Sequence, residues 1–383
     1  MSEVRVNNLS NENNTGGPTI SGITTYSGRH FFVPPQGDTA SRPSDCEPGS
    51  LRFNTDSAHL EYFRGNTIGW VEIEASSHEV GGGTGSNENS LGTRGFNAGR
   101  HVYDDTIEFI TISTLGDSQD FGNLSEGRFS LGNLVGSDSR MIFAGGYGYK
   151  NTIDFWTVQS LGNAVDFGDL TDLRQMMSGC NDKIRGIWAG GRGPGHGGVN
   201  TMDYVTIQST GNAVDFGDLS AAKTTPASCS SSTRGIWNYD AGPVAEMKFV
   251  NIRSTGNTTT FGDGHGGSDM NGGQSSSTRG MWAGNYASSN IISFITMATE
   301  GDTTDFGDLT QGRYNFTGMS SPTRSVFSAG TYYSHPSFIR PNTMDYVEIA
   351  TTGNAKDFGD MAMMTDVTGL AAGGSNGHGG LAG

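Results

Sequence analysis

Ser209-Thr210-Gly211-Asn212-Ala213-Val214-Asp215-Phe216-Gly217 is one of six copies of a short pattern that decides how this chain folds. The phenylalanines of the copies are Phe121, Phe167, Phe216, Phe261, Phe306 and Phe358, and by subtraction they stand 46, 49, 45, 45 and 52 residues apart. One copy, Thr260-Phe261-Gly262, has lost the aspartate. A period in the forties marks a string of similar units. Upstream of each triplet lies an apolar run closed by glycine, as in Arg140-Met141-Ile142-Phe143-Ala144-Gly145-Gly146, Arg185-Gly186-Ile187-Trp188-Ala189-Gly190-Gly191 and Arg279-Gly280-Met281-Trp282-Ala283-Gly284, with weaker copies from Arg94, Arg234 and Arg324. A variable segment follows, then an alternating run such as Met202-Asp203-Tyr204-Val205-Thr206-Ile207 or Met344-Asp345-Tyr346-Val347-Glu348-Ile349. Most units place a basic residue after the triplet: Arg128, Arg174, Lys223 and Arg313.

These runs are short, rich in aromatic and β-branched residues, and punctuated by Gly, Asn, Asp and Ser, which is strand chemistry; no stretch of a dozen residues has helical spacing. Four short strands per repeat predict the blade of a β-propeller, and six repeats predict six blades, in preference to a solenoid. The first repeat lacks an opening strand, beginning at Thr93-Arg94-Gly95-Phe96. The last ends on Val367-Thr368-Gly369-Leu370-Ala371-Ala372-Gly373-Gly374, which fits that missing strand. The C-terminal strand is therefore expected to complete the blade begun near residue 94, leaving no open sheet edge between the first and last units. Residues 378–383 are expected to mimic a truncated second strand, and the fourth repeat, with Asn238-Tyr239 for Ala-Gly and Thr260 for Asp, to be the most irregular.

Composition agrees with an all-β reading. Sixty glycines in 383 residues lack a collagen period. The net charge of −16 argues against a nucleic-acid partner. Three cysteines make no disulfide framework, and Cys180 and Cys229, equivalent positions in neighbouring repeats, are expected to be small buried residues. The N-terminus is polar without a signal-peptide core, and no apolar run reaches membrane-spanning length.

Ahead of the repeats, residues 1–30 read as an extended polar arm, 31–79 as a small β module that anchors the chain, 80–92 as a Gly/Ser/Asn linker, and 93–383 as the propeller. Within the module two strands flank an Asn54-Thr55-Asp56-Ser57 turn, and Trp70-Val71-Glu72-Ile73 is a third. Phe31, Phe53, Leu60, Tyr62 and Trp70 are its candidate anchoring residues.

The stretch RPSDCEPGSLRFNTDSAHLEYFRGNTIGWVEI (residues 42–73) resembles a module of tailed-phage structural and tail-fibre proteins, and TMDYVTIQSTGNAVDFGDL with IRGIWAGG resembles the kelch-like propeller repeats of virion proteins from phages of marine cyanobacteria. The resemblance covers roughly residues 31–383 and implies a virion component: a tail fibre, or a neck- or capsid-decorating protein. Its implied partners are other virion proteins and a host cell-surface glycan or protein, and it implies a homo-oligomer, with a trimer favoured.

No catalytic constellation stands out. Asp-Phe-Gly in six copies, with neither a nucleotide loop nor His-Arg-Asp, excludes a kinase reading; the Phe is expected to fill core and the Gly to permit a turn. Asp166, Asp169, Asp215, Asp218, Asp305 and Asp308 lack the ligand density of a calcium loop, so no metal and no cofactor are expected. The recurring arginines are expected to brace strands by pairing with those aspartates. A polysaccharide-degrading depolymerase is the enzyme alternative. Binding is the favoured role, carried by the variable segments between second and third strands, where Tyr147, Tyr149, Tyr239, Tyr286, Tyr332, Tyr333, His335 and Phe338 offer aromatic surface for sugars or protein.

Overall fold

The computed structural model describes residues 34–57, 59–73, 93–100, 104–130, 132–224, 226–240, 245–264, 273–285, 288–362 and 371–381. The chain is all-β, its described helical content a single 3₁₀ turn at Gly379–Leu381. It divides into two units, 1–76 and 77–383.

In the first unit the strands Leu51–Asn54, His59–Phe63 and Trp70–Ile73 form the expected antiparallel meander, and a short strand, Gln36–Gly37, adds to it in parallel. Register places Arg52, Asn54, Glu61 and Phe63 on one face and Leu51, Phe53, Leu60, Tyr62, Val71 and Ile73 on the other. The buried face is the polar one. Glu61 is fully enclosed, bonded by Arg42 at 2.6 Å and paired with Arg52 at 3.4 Å, and Trp70 donates its indole N–H to the Pro43 carbonyl. The apolar face is only half covered, and Leu51 and Ile73 are exposed.

The second unit repeats one motif. Its third copy is typical: Ser178–Asn181, Arg185–Ala189, Val199–Thr206 and Val214–Lys223 form an antiparallel sheet in chain order. Four further four-stranded sheets follow the same plan around the triplets at Phe167, Phe261, Phe306 and Phe358. The sheet holding Phe121 takes its first strand, Ala372–Ser375, from the C-terminus, pairing antiparallel with Arg94–Arg100 as expected, and adds Gly132–Asn133 in parallel. Residues 367–370 of the expected closing strand lie outside the described residues. The final Gly-His-Gly-Gly-Leu does not copy a second strand: Gly379–Leu381 turns back over the first strands, with His378, Gly379, Gly380 and Leu381 tucked in where a Cβ at Gly380 would collide with the Asn181 carbonyl.

Each Asp-Phe-Gly sits in a fourth strand at a bulge rather than a turn. Met202 pairs with Gly217 and Asp203 with Asp215, so Phe216 is the extra residue, and its ring drops into the core at 1% exposure. The glycine marks the point of contact with the next repeat. At φ +142° a Cβ on Gly217 would come within 2.5 Å of the Gly256 carbonyl oxygen. There the Gly256 N–H donates to the Phe216 carbonyl (2.8 Å) and the Asp218 N–H donates to the Asn257 side chain (2.9 Å). The same pair of bonds joins 167 to 211, 121 to 162, 261 to 301 and 306 to 353, and it runs from Phe358 back to Gly116 and from Asp360 back to Asp117.

The arginines brace neighbours, but not through the triplet aspartates. Each lies over an aromatic ring of its own sheet and donates to a carbonyl of the next: Arg185 over Tyr204 (4.8 Å) and to Arg253 (3.0 Å), Arg279 over Phe294 (4.6 Å) and to Ile349 (2.6 Å), Arg324 over Tyr346 (4.6 Å) and to Ile112 (2.9 Å). A cation over a ring face keeps part of its solvation while its N–H groups saturate carbonyls. Those same rings meet the triplet phenylalanines edge-on, Tyr204 on Phe216 at 5.9 Å. The basic residues after the triplet make the ion pairs instead. Arg128, Arg174 and Arg313 are fully enclosed and meet Asp154, Asp203 and Asp345 of the following sheet, at 2.9 Å and 2.7 Å in the first and last cases.

The fourth sheet is not the irregular one. Arg234–Asp240 and Ala245–Asn251 pair over their whole length. There Lys248 takes the place of the buried Asp, and its ammonium donates to Thr260, the residue that replaces the triplet Asp, at 2.8 Å. The two departures compensate each other.

Candidate functional site

First-strand residues of five sheets, with Asn133 and Leu134, line one small cavity. A collar of side chains links them: Ser275 donates to the Ser230 carbonyl (2.7 Å), Ser320 to Ser275 (2.9 Å), Ser375 to Ser320 (2.5 Å), and Asn181 accepts from Gly136 N–H (3.1 Å). Asn133 reaches across to the Gly273 carbonyl at 2.9 Å. What remains is about 30 Å³ among residues such as Asn181, Ser230, Gln274, Ser320 and His378, room for about one water. Burial pushes the His378 imidazole down to about 4. A cavity of this size holds no substrate. The collar serines were legible only as Ser230-Ser231, Ser275-Ser276 and Ser320-Ser321 ahead of Thr-Arg, and the second serine of each pair caps the following turn by accepting from the arginine N–H (3.1, 3.2 and 3.0 Å).

The segments between second and third strands carry the exposed aromatics. Tyr147 stacks on Phe129 at 4.6 Å and is 39% exposed. Tyr149 and His196, from adjacent repeats and both at positive φ, share a hydrogen bond of 2.5 Å between the phenol oxygen and Nδ1. Tyr239 lies on the strand Arg234–Asp240, though its side chain is outside the description; Tyr286 and Phe31 lie outside the described residues.

The longest segment is a built element. Tyr332–Ser334 and Ser337–Ile339 form a two-stranded hairpin with a cis His335–Pro336 peptide. Tyr333 faces Phe338 across it at 5.1 Å, His335 lies 6.2 Å from Tyr333, and Tyr333 and Phe338 are 51% and 55% exposed. Tyr332 is half-buried at its base. That base is pinned by Thr331 and Tyr314, which exchange both backbone hydrogen bonds (2.7 and 2.9 Å). Beneath lies the enclosed Arg313, bonded to Asp345 and to the Phe327 carbonyl (3.1 Å), with Thr310 donating to Asp345 at 2.6 Å. Burial lowers the Arg313 pKa while Asp345 raises it, leaving a cation locked in place. Between hairpin and platform is a cleft of about 140 Å³ lined by Tyr314, Asn315, Thr331, Phe338 and Arg340. Sequence reading found Phe338 but did not single out Asn315 or Arg340, because no period marks them.

The Asp residues flanking the triplets do not converge. Asp166, Asp215 and Asp305 point to solvent and Asp169, Asp218 and Asp308 are half-buried; among the described residues no group of three or more His, Cys, Asp or Glu side chains is placed to hold a metal ion. Cys180 and Cys229 are buried and burial pushes both thiols up, away from reactivity. Of the anchoring candidates, Phe53, Leu60 and Tyr62 share the half-covered apolar face and Trp70 lies on the other, beneath Arg52 at 5.7 Å.

No protein-family model matches the chain, and no curated protein matches it.

Proposed function

We propose that residues 93–383 form a six-bladed, kelch-like β-propeller that binds rather than catalyses, carried on a virion by the N-terminal β module as part of a tail fibre or other phage appendage. The observation that carries the propeller reading is the hydrogen-bond pair recurring from each triplet to the next repeat and returning from Phe358 to Gly116. Equivalent bonds that come back to their start describe a ring. Binding is supported by where the chemistry lies. The enclosed carboxylates Asp154, Asp203 and Asp345 are each neutralised by an arginine, the cavity among the first strands is filled, and Glu126 is held below the usual carboxylate range by the Lys150 ammonium, the opposite of a general acid. The exposed aromatics instead sit on a hairpin that no repeat requires.

The virion assignment rests on the resemblance of residues 42–73 and of the repeats. Docking through the module is supported by its half-covered apolar face of Leu51, Phe53, Leu60, Tyr62, Val71 and Ile73, which suits self-association into an oligomer or seating on another virion protein. The test is adsorption of the labelled full chain to cyanobacterial cells. The double variant Tyr333→Ala/Phe338→Ala is expected to lose at least ~10-fold in affinity, about 1.4 kcal/mol. Unchanged adsorption would remove the hairpin from the reading, and new reducing ends on added polysaccharide would replace binding by depolymerisation.

A further inference from the structure

The cleft under the hairpin has a composition that selects its ligand. Arg340 is half-buried in its wall and makes no ion pair or hydrogen bond with the described residues. This is unusual here. Among the described arginines of the repeat region Arg192 likewise has no side-chain partner, whereas the strand-start arginines go to carbonyls and rings, and Arg128, Arg174 and Arg313 to enclosed aspartates. On a chain of net charge −16, an uncommitted guanidinium in a wall is a place for one anionic group, and its planar fork fits a carboxylate bidentately. Opposite it, Asn315 is held at φ +56°, and its Oδ1 is shielded from solvent and accepts no hydrogen bond. Phe338 closes the third side with a ring that is more than half exposed. The cleft, about 140 Å³ and open to solvent, has room for part of one small ring while the rest stays in water.

We propose that this cleft is a subsite for a single carboxylate-bearing sugar residue, of the hexuronic-acid class. The pyranose stacks on Phe338 and its carboxylate pairs with Arg340. The platform is preorganised, because Arg313–Asp345 and the Tyr314–Thr331 bridge fix both walls before any ligand arrives. The excess negative charge of the chain favours one acidic residue in a glycan over a densely charged polymer. The inference rests on the binding reading and gives it a ligand class.

The experiment is a titration of the full chain, followed by NMR or calorimetry, with methyl glucuronide and methyl glucoside in parallel. Saturable binding of the glucuronide is expected, at least ~10-fold tighter than the glucoside. Arg340→Gln is expected to remove that preference while leaving the melting temperature unchanged, since Arg340 supports nothing in the fold; Phe338→Ala is expected to weaken both sugars. Equal affinities, absence of saturation, or an Arg340→Gln protein that keeps the preference overturns the proposal. Adsorption to cells separates it from the broader reading. Wild-type adsorption that survives Arg340→Gln and periodate treatment of the cells but is lost on protease treatment points to a protein receptor and overturns the sugar subsite alone. Saturable glucuronide binding without any adsorption keeps the subsite and overturns host attachment.

Discussion

Gly217 and Gly211 have nearly the same backbone conformation, φ +142° and +151°, and nearly opposite surroundings. Gly211 has no atom within 4 Å of a built Cβ; Gly217 presses on the Gly256 carbonyl. Both substitutions to alanine pay for a conformation that L-residues avoid, about 1–3 kcal/mol. Gly217→Ala must also push two repeats apart, which adds about 1–3 kcal/mol. Denaturant unfolding of the two variants is expected to rank them in that order, and equal losses would mean that the close approach does not hold the repeats together. The triplet was legible as scaffold, but the role of Gly211-Asn212 as the other half of the joint was not. Its partner is the triplet of the preceding repeat, and a repeating sequence does not say which copy touches which.

At the scale of elements, the ion pairs Arg128–Asp154, Arg174–Asp203 and Arg313–Asp345 tie three of the repeats to the sheet that follows. Their members stand about thirty residues apart in sequence, and each was visible there, the arginine as the basic residue after the triplet and the aspartate within the alternating run. Their union was not, because an aspartate on a strand that alternates apolar and polar residues reads as solvent-facing, and only packing of the linker over the sheet encloses it. Arg174→Met is expected to cost about 3–5 kcal/mol, since Asp203 stays buried without a counter-charge, and Arg174→Met/Asp203→Leu to recover a large part of that loss. Thermal unfolding of both variants measures it. A single variant as stable as wild type would show that the pair contributes nothing beyond packing. The hairpin Tyr332–Ile339 stands on the third such pair, which is why a segment read as a variable loop is a fixed presenting element.

For the whole molecule, the C-terminus completes the first sheet: Ala372–Ser375 enters it and Gly379–Leu381 turns over the collar. His378 is neutral there. Burial holds its pKa in the fold at about 4, below the ordinary histidine value of 6.5, so the unfolded chain binds the extra proton between those values. Stability from this group is complete above pH 6.5 and lost as pH falls toward 4, on the order of 3 kcal/mol across the window. His378→Gln is expected to flatten that part of the stability–pH curve, and an unchanged slope would show that the imidazole is not enclosed in solution. Over its described part, 378–381, the expected second-strand mimic is a 3₁₀ turn instead: a Cβ at Gly379 or Gly380 would meet the Ser276 or Asn181 carbonyl, so this end packs by close backbone approach and not by strand pairing.

Sequence alone determined the number of repeats, the strand class, the pairing of the C-terminus with residue 94 and the burial of the triplet phenylalanines, because period and alternation are local and recur six times. Tertiary structure alone decided which charges are enclosed, how Ser230, Ser275, Ser320 and Ser375 link the first strands, and that Asn315, Phe338 and Arg340 share a cleft. Those depend on contacts between residues that have no fixed spacing along the chain, and a contact between repeats leaves no period to read.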